Sequence, residues 1–478
     1  MQHAEQIVFR QGGTLRCESS RLARAMPYVF APIPGNGKYR GQAFWHGWCF
    51  VVLRKARWFI RGKARTMDIH RRKAAGLAHW FEKYRFSVGR YSCYPTSERF
   101  ASSFRALDMK TALAARARVT ARRPLALAVH LGGHGADSAA YLDGVRREAG
   151  LLASLAGGEK PRAIGIHGAD AALVASGQLP PLVDFLRNAF GAAEIDMLIE
   201  IDAKQATHDT LRHLAACRFD RLRLRCGDAQ DAARFAAALE DATDDLGMRP
   251  DVSICHGGDQ LDAPGCAALI AQAVSALARC IVLAGTESRA LHRPAAAALL
   301  GCAIETLCGA GYENAGFDVF VRRGQRGAGP FHLRFDVFGL GAGAVTASVD
   351  CYAMNAPDAV AYLGALDAGQ LPVSRGHRMT ADDLVRRDVI HSLECLGNVS
   401  FSSIEFRHGL DFQRYFASEL HEIEEMQQDG LVELYEDAIE VTPEGRPLTR
   451  LAASVFDRYL QQDPITESRK RQETNSFT

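Results

Sequence analysis

Short apolar runs alternate with longer amphipathic stretches between residues 125 and 321. Runs of this length are typical of buried strands, and the longer stretches carry the periodicity of helices. Repeated strand–helix units without a dinucleotide-binding fingerprint predict an α/β fold with a partial (β/α) barrel. The predicted strands are Leu125–His130, Ala163–Ile166, Met197–Ile201, Arg221–Leu224, Asp251–Ile254, Cys280–Leu283 and Phe317–Val321. The predicted helices are Tyr141–Leu155, Leu179–Phe190, Thr207–Ala216, Ala229–Leu246, Cys266–Leu277 and Pro294–Ala310.

A glycine-rich stretch, Phe338–Val345, follows a strand-like run at Phe331–Phe335. The stretch lacks the Gly-Lys-Ser/Thr of a phosphate-binding loop, and no clear helix follows it. It therefore predicts a structural turn.

The C-terminal part has a different pattern. Thr380 and Asp383 form a capping box for a helix at Ala381–Leu396, and a second helix is predicted at Asp411–Gln428. A hairpin at Leu431–Val441 and a closing helix at 447–461 complete a winged-helix-like α+β domain. This domain is rich in Asp and Glu, which would repel phosphates, so we expect no nucleic-acid partner.

Composition narrows the class of protein. The hydrophobic fraction of 47%, the charged fraction of 23% and the net charge of +2 are ordinary for a globular protein. No apolar segment is long enough to span a bilayer, and no secretory signal is evident. The 12 cysteines are scattered and no pair has Cys-x2-Cys spacing, which favours a reducing cytoplasm.

Residues 1–66 differ from the rest, because they are rich in Arg and Lys and their only acids are Glu5 and Glu18. We interpret them as a basic, disordered extension, or as upstream sequence translated from a wrong start, with Met67 as the alternative start. A basic membrane or polyanion anchor is disfavoured because the segment lacks the helical moment of such anchors. The polar tail, 463–478, is also predicted to be disordered.

Several irregular strings resemble the oxygen-independent coproporphyrinogen III oxidases, a family of the radical S-adenosylmethionine (SAM) type. The lead-in Lys83–Thr96 (KYRFSVGRYSCYPT), the strand Leu198–Lys204 (LIEIDAK), Asp350–Asn355 (DCYAMN) and Arg386–Ser392 (RRDVIHS) carry the resemblance. It extends through Asp429–Val441 and the string FDRYL to about residue 461. It implies a lead-in at 67–123, a radical-SAM-like partial barrel at 124–378 and the family's C-terminal domain at 379–462.

The departures from the family fall on its chemistry. The resemblance implies a Cys-x3-Cys-x2-Cys loop after the first strand, holding a [4Fe–4S] cluster that binds SAM. This chain has no cysteine there, and only His134 stands near the position of the first one. The family's tyrosine two residues before His130 is Ala128, and its SAM-binding glycine turn is replaced by the stretch 166–170.

Three residues are candidates for the remains of the SAM site: Glu200, Gly168 and His130. Glu200 is the clearest, because an acid at the end of a barrel strand could bind a ribose or act as a base. It could equally be a leftover carboxylate held in a salt bridge. No catalytic residue is assigned.

A new metal site is a further possibility, since His130, His134 and His167 all follow predicted strands, and His256 could complete a ligand set. The spacing matches no known motif, so ordinary histidines are the preferred interpretation. No Ser-His-Asp or Gly-x-Ser-x-Gly arrangement supports a hydrolase.

The leading hypothesis is a non-catalytic paralogue of haem metabolism that has lost the cluster and SAM chemistry. It would bind a tetrapyrrole or act as partner of an active homologue. The alternative is an active coproporphyrinogen III dehydrogenase, which decarboxylates two propionates to vinyl groups with SAM and [4Fe–4S]. A third hypothesis is a protein that is losing function altogether.

Overall fold

The computed structural model describes residues 93–118, 123–132, 138–192, 195–217, 219–247, 250–256, 261–285, 294–316, 318–324 and 335–461. The basic segment 1–66, the alternative start at Met67, the loop around His134 and the tail from residue 463 lie outside these ranges. The expectations for them stay predictions.

The large sheet is the centre of the fold. Its strands are β1 Leu125–His130, β2 Ala163–Ala169, β3 Asp196–Asp202, β4 Arg221–Cys226, β5 Asp251–His256, β6 Cys280–Gly285, β7 Tyr312–Asn314, β8 Val319–Arg322, β9 Asp336–Leu340, β10 Val345–Ala347, β11 Cys351–Asn355 and β12 Val373–Arg378. Their order is β12-β11-β10-β9-β1-β2-β3-β4-β5-β6-β8-β7.

The central part of this sheet, β9 and β1 to β6, is entirely parallel. Antiparallel strands extend it on both sides, with β10 to β12 beside β9 and β7 and β8 beside β6. Among the described residues the outermost strands, β12 and β7, do not pair with each other. The open, mostly parallel sheet confirms the predicted partial (β/α) barrel.

Helices follow the parallel strands and bury their apolar faces against the sheet. In the first unit, Leu127 and Val129 of the sheet belong to the same buried core as Leu142 and Val145 of the following helix. The helices before the C-terminal domain are α1 Ala106–Ala117, α2 Ser138–Leu155, α3 Ala171–Ala175, α4 Leu179–Ala189, α5 His208–Ala216, α6 Ala232–Glu240, α7 Ala263–Ser275, α8 Pro294–Gly309 and α9 Ala359–Asp367.

Alternate residues of each strand face opposite sides of the sheet. On β4, Leu222 and Leu224 are buried in the core shared with the helices. Arg221, Arg223 and Arg225 therefore point to the other side, which we call the inner face. The inner face is the surface that a barrel fold encloses, and it carries the candidate site.

Several predicted boundaries were wrong. Phe338 lies inside β9, which pairs with β1, and the glycine turn is confined to residues 341–344. β8 pairs antiparallel with β6, so it does not continue the strand–helix repeat. The predicted helix Ala229–Leu246 is divided into a 3-10 turn, α6 and a π-helical turn at Asp241–Asp245.

The C-terminal domain combines helices with a small antiparallel sheet. Its helices are α10 Ala381–Leu396, α11 Phe401–His408, α12 Phe412–Tyr415, α13 Ala417–Gln428, α14 Thr449–Ser454 and α15 Arg458–Gln461. Its strands, β13 Asn398–Ser400, β14 Val432–Leu434 and β15 Ala438–Val441, have the order β13-β15-β14. The element order is that of a winged-helix-like domain, as predicted, although the predicted helix at Asp411–Gln428 is two helices.

A buried junction joins the lead-in, the sheet and the C-terminal domain. Tyr94 is fully buried, its backbone N–H donates to the Tyr352 hydroxyl at 3.4 Å, and its ring lies 6.0 Å from that of Tyr459. The Tyr459 hydroxyl donates to Asp383 at 2.8 Å. Three of the strings that carry the family resemblance thus meet at this junction.

No helix within the described ranges has the length and apolarity of a membrane span.

Candidate functional site

Two histidines mark the ends of the first two strands on the inner face. His130 of β1 and His167 of β2 are register partners, and their ring centroids are 5.7 Å apart at an interplanar angle of 64°. The parallel register places both rings at the carboxyl edge of the sheet, where barrel proteins bind ligands. Of the candidates from the sequence, His130 therefore lies at this edge.

Glu200 is the centre of a charged group on the inner face. Its carboxylate lies 3.7 Å from Nδ1 of His167 and 3.7 Å from a terminal nitrogen of Arg223. Burial alone would raise the pKa of the carboxyl group, but His167, Arg223 and Arg225 outweigh burial and lower this pKa to about 2. Glu200 is therefore an anion at neutral pH whose charge is balanced by its neighbours.

Two arginines of this group were not predicted from the sequence. Arg223 is the register partner of Glu200, and Arg225 is the partner of Asp202, which it contacts at 3.5 Å. Alternating Arg and Leu on a strand indicates an amphipathic strand, but only the sheet order shows that its polar side is the inner face.

Arg221, at the other end of the same strand, has a structural role. It donates to the fully buried Asp251 at 2.8 Å, and Arg279 contacts the same carboxylate at 3.3 Å. A buried carboxylate shared by two guanidinium groups is well compensated. The arginines of β4 therefore change from structural at the amino end to site-facing at the carboxyl end.

Gly168 is required by the backbone. Its φ is +75°, and a Cβ there would lie 2.7 Å from the backbone nitrogen of Gly132. The close approach is fixed by the hydrogen bond from Leu131 N to His167 O at 2.8 Å. The geometry thus explains this glycine by the packing of the β1 loop on β2, and SAM binding by Gly168 stays a prediction.

A buried carboxylate supports the site from behind. Glu148 of α2 accepts hydrogen bonds from Gly341 N at 2.8 Å, the Asn355 amide at 2.7 Å and the Tyr362 hydroxyl at 2.6 Å. These bonds fix the glycine turn between β9 and β10. Burial raises the pKa of Glu148 to about 7, against the opposing effect of the three donors.

Tyr141 connects this turn to the end of β1. Its hydroxyl donates to the carbonyl of His130 at 2.9 Å and accepts from Ala342 N at 2.7 Å. The position of His130 therefore depends on the same turn that Glu148 fixes. Glu148 and Tyr141 were not predicted from the sequence, because their partners are distant in the chain.

The proposed four-histidine metal site cannot be assembled from the described residues. His134 lies outside them, and the side chain of His256 is also not described. Within the described ranges, the one group of three side chains placed to share a metal ion is His208, Asp241 and Asp245, at the start of α5 and in the π-helical turn after α6. That group is separate from the inner face.

The described cysteines do not match a [4Fe–4S] site, which needs three thiolates. At the carboxyl ends of the parallel strands, Cys226 and Cys255 are the cysteines that the described residues supply. Cys226 belongs to the core shared with the helices, whereas Cys255 lies on the opposite side of the sheet. The residues present at this edge therefore do not fit the cluster.

The fold is that of the radical SAM enzymes, and comparison with known proteins agrees. The structure of the radical SAM enzyme coproporphyrinogen III oxidase (HemN) from Escherichia coli matches with a TM-score of 0.66 at 25% identity, over 77% of this chain and 97% of that one.

Sequence comparison gives the same relationship. Residues 379–448 match the HemN C-terminal domain. The oxygen-independent coproporphyrinogen III oxidase of E. coli is 28% identical over 80% of this chain and 95% of its own length. That of Pseudomonas aeruginosa is 36% identical over 33% of this chain and 37% of its own length. The chain is a homologue of the oxygen-independent coproporphyrinogen III oxidases, and the resemblance stated from its sequence is confirmed.

Proposed function

We propose that this chain is a coproporphyrinogen III oxidase-like protein of haem metabolism that binds a tetrapyrrole without carrying out SAM radical chemistry. The observation that carries the proposal is the pairing of Glu200 with Arg223 and His167 on the inner face. SAM carries a positive sulfonium, and a carboxylate whose charge is already balanced by a guanidinium attracts such a cation weakly.

The cysteine pattern supports the same proposal. No three cysteines of the sequence have Cys-x3-Cys-x2-Cys spacing. A [4Fe–4S] cluster needs three thiolates, and without them the chain would have no cluster to supply an electron to the sulfonium. The buried junction around Tyr94 and Tyr459 nevertheless keeps the sheet and the C-terminal domain together, which is consistent with a binding protein.

The alternative function is that of the relatives, oxidative decarboxylation of coproporphyrinogen III with SAM. Anaerobic reconstitution of the purified full chain with iron and sulfide separates the two functions. The E. coli oxidase, treated in parallel, is the positive control. We expect the control to gain the visible absorption of a [4Fe–4S] cluster and to cleave SAM, and this chain to do neither. A stoichiometric cluster together with SAM cleavage would overturn the proposal.

Binding is tested separately, by titrating the same preparation with coproporphyrin III and with haem and following tryptophan fluorescence and porphyrin absorption. We expect saturable binding of at least one of them. Absence of binding to both would leave only a partner role or loss of function. Pull-down with an active homologue tests the partner role. We place the protein in the cytoplasm, since the cysteines of the described ranges are free thiols.

A further inference from the structure

The guanidinium of Arg223 has unused hydrogen-bonding capacity. Its side chain is 18% exposed, and its Nε is buried without a hydrogen-bond partner. Its contact with Glu200, at 3.7 Å, is longer than a hydrogen bond. A guanidinium has five N–H donors, and burying them unpaired is unfavourable. Arg223 can therefore donate hydrogen bonds to a ligand, because the described part of the chain does not supply an acceptor for all of its N–H groups.

Arg225 places a second guanidinium beside the first. The two residues are two positions apart on β4, so they project from the same face with Cα atoms about 6–7 Å apart. The Arg225 side chain is 52% exposed, and its contact with Asp202 is 3.5 Å long. Both arginines thus make loose ion pairs, which a ligand carboxylate could replace with shorter, bidentate hydrogen bonds.

The strands on the other side of β3 present small residues and histidines on the inner face. The inner-face positions of β1 and β2 before the histidines are Ala128 and Gly165, which are register partners. The His167 ring lies over Gly165, where a Cβ would be 3.0 Å from its Nε2. Lys204, a further cation near the end of β3, is held elsewhere by Asp231 at 3.1 Å. Among the described residues, the guanidinium groups of this edge are those of Arg223 and Arg225.

We propose that Arg223 and Arg225 bind two carboxylates of one ligand at the carboxyl edge of the sheet. This inference rests on the proposed function, and under it the ligand is a tetrapyrrole whose neighbouring propionates lie on the two guanidinium groups. The fixed spacing of the two arginines along one strand selects ligands with paired carboxylates. Glu200 and Asp202 restrict the site further, because a ligand with more negative charge at this edge would be repelled.

The test compares coproporphyrin III with its tetramethyl ester, which keeps the ring and loses the carboxylate charges. Dissociation constants are measured in matched detergent buffer for the wild-type chain and for Arg223→Gln and Arg225→Gln. We expect each substitution to weaken binding of the acid about tenfold, corresponding to one charge-assisted pair, and to leave ester binding unchanged. The control is Arg212→Gln on α5, where the side chain is 65% exposed and pairs only with Asp209 in the same helix.

If a variant does not fold, comparing the affinities of the wild-type chain for the acid and the ester still tests the inference. We expect the acid to bind the wild-type chain more tightly than the ester, with an affinity that falls as salt rises. Equal affinity for acid and ester, or full affinity in both arginine variants, overturns this inference and leaves tetrapyrrole binding standing. If neither coproporphyrin III nor its ester binds, this inference is overturned, and tetrapyrrole binding as the proposed function is overturned as well only if haem also fails to bind.

Discussion

Glu200 and Arg223 are register partners on neighbouring parallel strands, and their charged groups lie 3.7 Å apart on the inner face of the sheet. Each is largely shielded from water, so the charge of one depends on the presence of the other. The pair also determines what the site can attract, because the net charge of the two groups is zero.

Removing the carboxylate of this pair should destabilise the chain. We expect Glu200→Gln to lower the free energy of unfolding by about 1–3 kcal/mol, because Arg223 would remain partly buried without a counter-charge. Urea unfolding at neutral pH measures the change. The control is Asp184→Asn, whose side chain is 70% exposed and lies 4.0 Å from Arg187, and which should stay within about 0.5 kcal/mol of the wild type.

The ionisation of Glu200 should also be visible in how the free energy of unfolding changes at acidic pH. Its pKa is lowered from 4.5 to about 2, against the effect of burial and because of His167, Arg223 and Arg225. The ionised group therefore stabilises the folded state fully above pH 4.5, and this contribution is lost as the pH falls towards 2. We expect the difference in unfolding free energy between wild type and Glu200→Gln to shrink over that range. A constant difference would contradict the ion pair.

The strand pattern was largely predictable from the sequence, and the inner-face chemistry was not. β1 was predicted to the residue, because an apolar run bounded by proline and glycine is a local signal. β9 was mistaken for part of a turn, because a Cβ on Gly339 would lie 2.6 Å from the backbone of Val345, so close packing requires glycine inside the strand. Its pairing with β1 joins residues too distant in the chain for periodicity to reveal.

The candidate site divides in the same way. His130, Gly168 and Glu200 were named as candidates from the sequence because the family resemblance points to them. Arg223 and Arg225 were missed, because an arginine on a strand is usually exposed and only the order of strands turns it inward. The local sequence determines which residues of a strand share a face, whereas the order of strands in the sheet determines which of the two faces lines the site.

Two glycines with similar backbone angles allow the steric cost of a Cβ at Gly168 to be separated from the cost of its positive φ. Gly168 has φ +75° and Gly177 has φ +69°, but only at Gly168 would a Cβ meet the backbone of Gly132, while nothing lies within 4 Å at Gly177. We expect Gly177→Ala to cost about 1 kcal/mol from the left-handed angle alone. Gly168→Ala should cost about 1–3 kcal/mol more, measured by chemical unfolding. Equal effects would mean that the β1 loop moves aside freely.

Glu148 should make stability depend on pH near neutrality. Burial raises its pKa from 4.5 to about 7, so the folded state holds a proton that the unfolded state releases between these values. The stability that this proton provides is fully present below pH 4.5 and is lost as the pH rises through 7. We expect the unfolding free energy of Glu148→Gln to fall less than that of the wild type between pH 5 and about 7.5.

Exposed Glu240 supplies the control for that experiment. Glu240→Gln should follow the wild-type curve at every pH. If Glu148→Gln also follows it, the raised pKa is wrong.

At the buried junction, replacing Asp383 should destabilise the fold more than replacing its hydrogen-bonding partner Tyr459. The Asp383 side chain is fully buried and accepts from Thr380 N and the Tyr459 hydroxyl, each at 2.8 Å. Asp383→Asn should cost about 1–3 kcal/mol, because it changes an acceptor into a donor among donors. Tyr459→Phe should cost about 1 kcal/mol. Thermal melts of both variants, with exposed Asp367→Asn as control, check the order, and the reverse order would contradict this description of the junction.

β4 separates two tasks on a single strand. Leu222 and Leu224 anchor it to the helices, while Arg223 and Arg225 face the space where a ligand would lie. Because the two sets alternate, the arginines can be exchanged without altering a contact in the helix-facing core. The same scaffold is therefore a starting point for engineering. Replacing the residues at positions 223 and 225, while keeping the structural Arg221, should change what the protein selects while its architecture stays the same.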